Sequence, residues 1–177
     1  MKKIILVAFF FIGISVSQAQ DSGNSANQLK WYTDVKEAIK VSDKEKKPLM
    51  LFFTGSDWCG WCIRLQKEVL TTPEFSKWAN ESVILVELDF PRRTAQPENI
   101  KVQNNELQQV FGIQGFPTIY FANAKVKDGK TNFEGLGSTG YVAGGPAAWI
   151  ATAETFVKKP VVLGPEPKKS KSKTKKA

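Results

Sequence analysis

The chain has 177 residues, 42% of them hydrophobic, which is enough for one well-buried domain. It contains no histidine, and this excludes Ser-His-Asp and Cys-His nucleophilic schemes, imidazole-ligated zinc and a histidine pH switch. The formal net charge of +8 sits at the ends: Lys2 and Lys3 carry +2, the stretch from Lys158 onward carries +7, and residues 20–157 come to about −1, so the body offers no basic stripe for nucleic acid.

The first element is "MKKIILVAFFFIGISVSQAQ". Two lysines precede an apolar run from Ile4 to Val16, and small residues at Ser17 and Ala19 place a cleavage site after Ala19. This is the layout of a signal peptide over residues 1–19, and its apolar run is short for a membrane span of about 20 residues. No cysteine follows it, which removes lipid attachment at that point. An exported protein is expected, periplasmic if bacterial and secreted otherwise, in a compartment where disulfides persist. Residues 20–27 are polar and read as a flexible segment ahead of a domain over 28–158.

Within that domain "LKWYT" reads as a short strand. Asp34 to Val41 reads as a helix with Val35, Ala38 and Ile39 on one face and Asp34 and Glu37 arranged for its N-terminal cap. "DKEKK" reads as a solvated turn. The run "PLMLFFTG" is continuously apolar between Pro48 and Gly55, the pattern of a strand buried on both faces. A helix is expected from about Cys59 to Leu70, joining Cys62, Leu65 and Val69 on one side. Thr72-Pro73-Glu74 opens another, with Phe75, Trp78 and Ala79 inward. "VILVEL" reads as a second buried strand and "DFPRRTAQPENIKVQ" as a long polar loop. Glu106 to Phe111 reads as a helix and "TIYFA" as a strand. Asp128-Gly129 turns into a strand over about Thr131–Leu136. Gly144-Gly145-Pro146 begins a last helix to about Val157. Early alternation and a late hairpin predict an α/β fold with a central mixed β-sheet and helices on both faces.

The tail, residues 159–177, has no aromatic side chain and too little apolar surface to order itself. It reads as a disordered Lys-rich end, either solubilising or adhering to an anionic surface such as lipid head groups.

The only cysteines are Cys59 and Cys62, in "DWCGWC". Three roles compete. A structural disulfide stabilises by closing a loop of unfolded chain, and two intervening residues close almost none. A zinc site needs four ligands, and one cysteine pair without histidine falls short. A redox couple fits the local physics. A buried strand delivers Cys59 to the first turn of a helix, where free backbone N–H groups favour a thiolate and bring a cysteine pKa from about 8.5 toward roughly 3.5–7.5. Cys62, one turn on, is then placed to resolve a mixed disulfide formed at Cys59. A C-x-x-C that follows a strand and opens a helix is a strong signal. No metal and no cofactor are expected.

On "FFTGSDWCGWC", "GIQGFPTIYF" and the element order, residues 28–158 resemble the thioredoxin superfamily, and in particular exported bacterial thioredoxin-like proteins with "DWCGWC" and a "DFP" strand end. The resemblance implies a thiol–disulfide oxidoreductase with Cys59 as nucleophile and Cys62 as resolving thiol. It implies a cis-proline at Pro117, with Phe116 before it offering backbone hydrogen bonds to a bound peptide. Trp58, Gly60 and Trp61 complete the substrate-binding set, Trp58 as a cover over the active site. The implied partners are protein thiols and disulfides plus a redox protein that recycles the pair, with the chain itself a monomer.

The sequence departs from thioredoxin in two places. Gly60-Trp61 stands where thioredoxin has Gly-Pro. A buried aspartate on the preceding strand is replaced by Leu51 or Phe52, which leaves Asp57, Glu87 or water to assist Cys62. The neutral indole of Trp61 points to a reducing or intermediate couple over a strong oxidant. A reading from another class keeps the fold as a peptide-binding or chaperone-like module with little redox turnover.

Overall fold

A computed structural model describes residues 29–158; the expected signal peptide, the segment 20–27 and the tail over 159–177 lie outside the described residues. Strand β2 (Leu49–Thr54) occupies the middle of a five-stranded sheet, and every one of its residues is buried, as its unbroken apolar run requires. The sheet order is β1-β3-β2-β4-β5. Strands β1 (Trp31–Tyr32) and β3 (Ile84–Asp89) run parallel to each other, and β3 runs parallel to β2. Strands β4 (Thr118–Lys127) and β5 (Lys130–Thr139) form an antiparallel hairpin whose β4 pairs with β2. The turn is Asp128-Gly129, both at positive φ (53° and 72°), which is why glycine and aspartate stand there.

Alternation along β2 sorts the helices into two layers. Leu49, Leu51 and Phe53 face helices α1 (Val35–Glu45) and α4 (Glu98–Val110). Met50 and Phe52 face α2 (Gly60–Leu65) and its π-helical continuation (Gln66–Leu70), α3 (Pro73–Ser82) and α5 (Gly145–Val157). Both cysteines belong to this second layer. Its centre is Trp149, fully buried, with the rings of Phe75, Trp78 and Phe121 at 5.7, 5.9 and 6.4 Å. Burial of such a side chain contributes roughly 1.5–3 kcal/mol. An exposed pair such as Lys158–Glu154 contributes at most about 1 kcal/mol. The aromatic cluster, not surface charge, therefore holds α5 against the sheet.

Three expectations from the sequence need correction. Helix α1 runs past Val41 to Glu45, because Ser42 turns inward and its hydroxyl donates to the Lys47 carbonyl at 2.6 Å; part of "DKEKK" is thus helical. Helix α4 begins at Glu98, two turns before Glu106. The missed stretch, 98–105, is mostly polar, and its buried residue packs by hydrogen bonding. Asn104 is buried and donates to the Asp89 carbonyl (2.8 Å), while Gln103 accepts from Val35 N (2.9 Å) and donates to Thr33 O (2.9 Å). Strands β4 and β5 also extend beyond "TIYFA" and Thr131–Leu136, since cross-strand pairing continues through polar residues to the turn.

Candidate active site

Strand β2 ends at Thr54 and the chain turns through Gly55, whose carbonyl accepts Cys59 N at 2.8 Å and Trp58 N at 3.2 Å. That turn needs glycine: a Cβ at Gly55 would lie 2.4 Å from Trp58 Cε2. Cys59 then takes the N-cap position of α2, in extended conformation, with its Sγ accepting the Cys62 N–H at 3.2 Å. Cys59 and Cys62 are joined as a disulfide. Residue 59 is 5% exposed and residue 62 is 1% exposed. The two residues therefore differ little in exposure in this oxidised form, because Trp58 and Phe116 pack against the cluster that holds both.

Trp58 is half-buried and held at three points. Its indole N–H donates to the Phe90 carbonyl (2.8 Å), its ring meets Phe116 edge-on at 5.9 Å, and the Arg92 guanidinium carbon lies 3.7 Å over it. Phe116 in turn stacks on Phe90 at 5.0 Å. The Phe116–Pro117 bond is cis. The Pro117 carbonyl lies where a Cβ at Gly140 would meet it at 3.1 Å, and the Gly140 carbonyl accepts the Trp149 indole N–H at 3.0 Å. The buried tryptophan of the core thus positions the loop beside the proline. Gly60 and Trp61 are exposed on the outer side of the turn.

Trp61 turns away from the sheet. Its ring lies 5.2 Å from Tyr141, and the Arg64 guanidinium sits over both rings at 5.3 and 5.0 Å. Glu68 closes the group, accepting from Arg64 Nε at 2.8 Å and from the Tyr141 hydroxyl. The Tyr141 hydroxyl first, then Arg64, hold the Glu68 carboxyl below its ordinary range. The same hydrogen bond to Glu68 pushes the Tyr141 phenol up. Trp61 therefore does not stand alone as a neutral cover: it carries an arginine whose charge Glu68 balances.

Of the two residues expected in place of the thioredoxin aspartate, Phe52 faces the cysteine layer and Leu51 the opposite one. Asp57 is committed elsewhere. Its carboxylate accepts the backbone N–H groups of Arg92 (3.0 Å), Arg93 (2.7 Å) and Thr94 (3.1 Å), and these hold its pKa below the ordinary value, the Arg92 N–H foremost. Glu87 is in register with Phe52 and two residues beyond Leu85, so it sits on the cysteine side of β3. It is half-buried, and burial first, then Asp89, push its carboxyl up. Thr54, two residues beyond Phe52 on the same side, is buried with its hydroxyl unpartnered. Sequence reasoning missed Phe90, Arg92, Arg93, Arg64, Glu68 and Tyr141. Only the "DFP" strand end hinted that the segment after β3 approaches the cysteines.

A mixed sheet of this order, a disulfide pair at a helix start and a cis-proline loop packed beside it define a thioredoxin-like fold built around a redox pair. The chain belongs to the thioredoxin-like domain family, which matches residues 35–140. It is similar to the disulfide bond reductase DsbH of Chlamydia pneumoniae, 37% identical over 134 residues that cover 76% of each chain. It is also 32% identical to the thioredoxin-related protein DsbJ of the same organism, over 66% of this chain and 34% of that one. The solved DsbH oxidoreductase superposes with a TM-score of 0.66 at 35% identity, covering 74% of this chain and 85% of that one. The chain is a thiol–disulfide oxidoreductase, and the comparisons favour this over the peptide-binding module without turnover.

Proposed function

We propose that the protein is an exported reductase of protein disulfides, with Cys59 as nucleophile, Cys62 as resolving thiol, and Trp58, Gly60, Trp61, Phe116 and Pro117 forming the substrate surface. The observation that carries the roles is the N-cap geometry: the Cys62 N–H points at Cys59 Sγ and favours negative charge on that sulfur. With the pair reduced, the Cys59 thiolate attacks a substrate disulfide, its S–S bond breaks, and one substrate sulfur leaves as a thiolate and takes a proton. Cys62 loses its proton and attacks Cys59 Sγ, releasing the second substrate thiol. Two electrons and two protons pass to the substrate, and the Cys59–Cys62 disulfide remains. A dithiol protein that recycles the pair completes the cycle. The signal-peptide layout supports export to the periplasm, and among the described residues no helix is long and apolar enough to cross a membrane.

The reductase direction is supported by the name of the DsbH relative. A redox titration against glutathione and dithiothreitol tests it. A potential near that of thioredoxin (about −270 mV) is expected, and one near that of the oxidant DsbA (about −120 mV) would overturn the direction.

A further inference from the structure

The mouth of the site has two rims of different charge. On one rim Arg64 is paired with Glu68 and covered by Trp61 and Tyr141. On the other, Arg92 and Arg93 are both exposed, and neither has an ion-pair partner among the described residues. Two carboxylates lie close by, but both are occupied. Asp57 accepts three backbone N–H groups of residues 92–94, and Asp89 accepts Ser56 N (2.8 Å) and the Ser56 hydroxyl (2.6 Å). Their hydrogen bonds fix the loop and leave the guanidinium donors unused.

Arg92 is also oriented. Its guanidinium carbon lies 3.7 Å over the ring of Trp58, one residue from Cys59. Stacking uses the face of a guanidinium and leaves its N–H edge free, the geometry that takes a carboxylate in bidentate fashion. The body of the protein is near neutral, so this charge acts locally at the site and not as a field over the whole surface.

We infer that Arg92 and Arg93 select substrates that carry aspartate or glutamate side chains beside the cysteine under attack. The inference rests on the thiol–disulfide exchange proposed above. A substrate disulfide approaching Cys59 passes Trp58, and a carboxylate flanking it meets the edge of Arg92. The Arg64 rim, already neutralised, makes no such demand.

The test uses three cystine peptides that differ only in the flanking residue, Glu, Gln or Lys, reacted with the reduced full-length protein under single-turnover conditions. At low ionic strength the Glu peptide should react at least about fivefold faster than the Lys peptide, as expected for two partly screened charges. The gap should close as salt shortens the screening length, and Arg92→Glu/Arg93→Glu should reverse the order. A second arm removes exchange altogether: the oxidised protein is titrated with the Glu peptide carrying serine for cysteine. Saturable NMR shifts at Arg92 Nε–H and the Trp58 indole are expected. Equal rates for Glu and Lys peptides, or a preference that survives charge reversal, or no shift in the second arm, would overturn the inference.

Discussion

Cys62 donates its backbone N–H to Cys59 Sγ across 3.2 Å, so the two cysteines of one turn are unequal even while joined. The inequality predicts how the single variants divide. Cys62→Ser should trap mixed disulfides with substrate proteins, because attack still occurs and release does not. Cys59→Ser should trap almost none and should abolish the acceleration of insulin reduction by dithiothreitol. Mass spectrometry of trapped adducts checks both. Adducts on Cys62 in the Cys59→Ser protein, at the level seen for the opposite variant, would refute the assignment.

Gly55→Ala should damage the site without touching a sulfur. The added Cβ lies inside contact distance of three Trp58 ring atoms, at 2.4, 2.6 and 2.7 Å. Trp58 must leave its hydrogen bond to Phe90 or the turn must shift, at about 1–3 kcal/mol for overpacking of this kind. A lowered denaturation midpoint together with altered tryptophan fluorescence is the expected result. Wild-type values for both would show that the turn yields freely.

Asp57→Asn should loosen the arginine loop. Backbone N–H groups hold the Asp57 pKa low, so its ionised form belongs to the folded state. Its contribution is present above the unfolded pKa and is lost as pH falls through the folded value. Amide exchange at Arg92, Arg93 and Thr94 should therefore quicken in the variant at neutral pH. In the wild type the protection factors of these amides, taken against the intrinsic exchange rate at each pH, should fall on acidification below the ordinary aspartate range. Protection unchanged in both cases would contradict the role given to this carboxylate.

Glu87→Gln has the opposite sign. Burial raises the Glu87 pKa, so the folded state binds its proton more tightly than the unfolded state does. Stability then falls as pH rises from the unfolded to the folded pKa, and the ionised form is a burden at neutral pH. The glutamine variant should melt higher than wild type at pH 7, and the gain should vanish at acid pH. Since Glu87 lies on the cysteine side of β3, the variant should also alter the pH profile of mixed-disulfide resolution. A lower melting temperature at pH 7 would mean that the carboxylate has a stabilising partner.

Much of this protein was legible in its chain order. The unbroken apolar run of β2, the Thr72-Pro73 start of α3 and the Asp128-Gly129 turn each carry their structure in local pattern, because burial on two faces, a proline at a first helical position and a positive φ all restrict residue type. The C-x-x-C after a strand likewise disclosed its chemistry, since thiolate stabilisation depends on a helix start only a few residues away. The first turns of helix α4 are not legible because Gln103 and Asn104 pack by hydrogen bonds to distant backbone, which interrupts the apolar period. The surroundings of the cysteines were hidden for the same reason of distance. Asp57 meets residues 92–94 across 35 to 37 positions, and Glu68 meets Tyr141 across 73. The sequence alone determined that Cys59 opens a helix and that Cys62 follows one turn later. Tertiary structure alone decided which charges stand around them, because a charge acts through space, and the spacing here is made by a sheet that brings the ends of β2, β3 and β4 together.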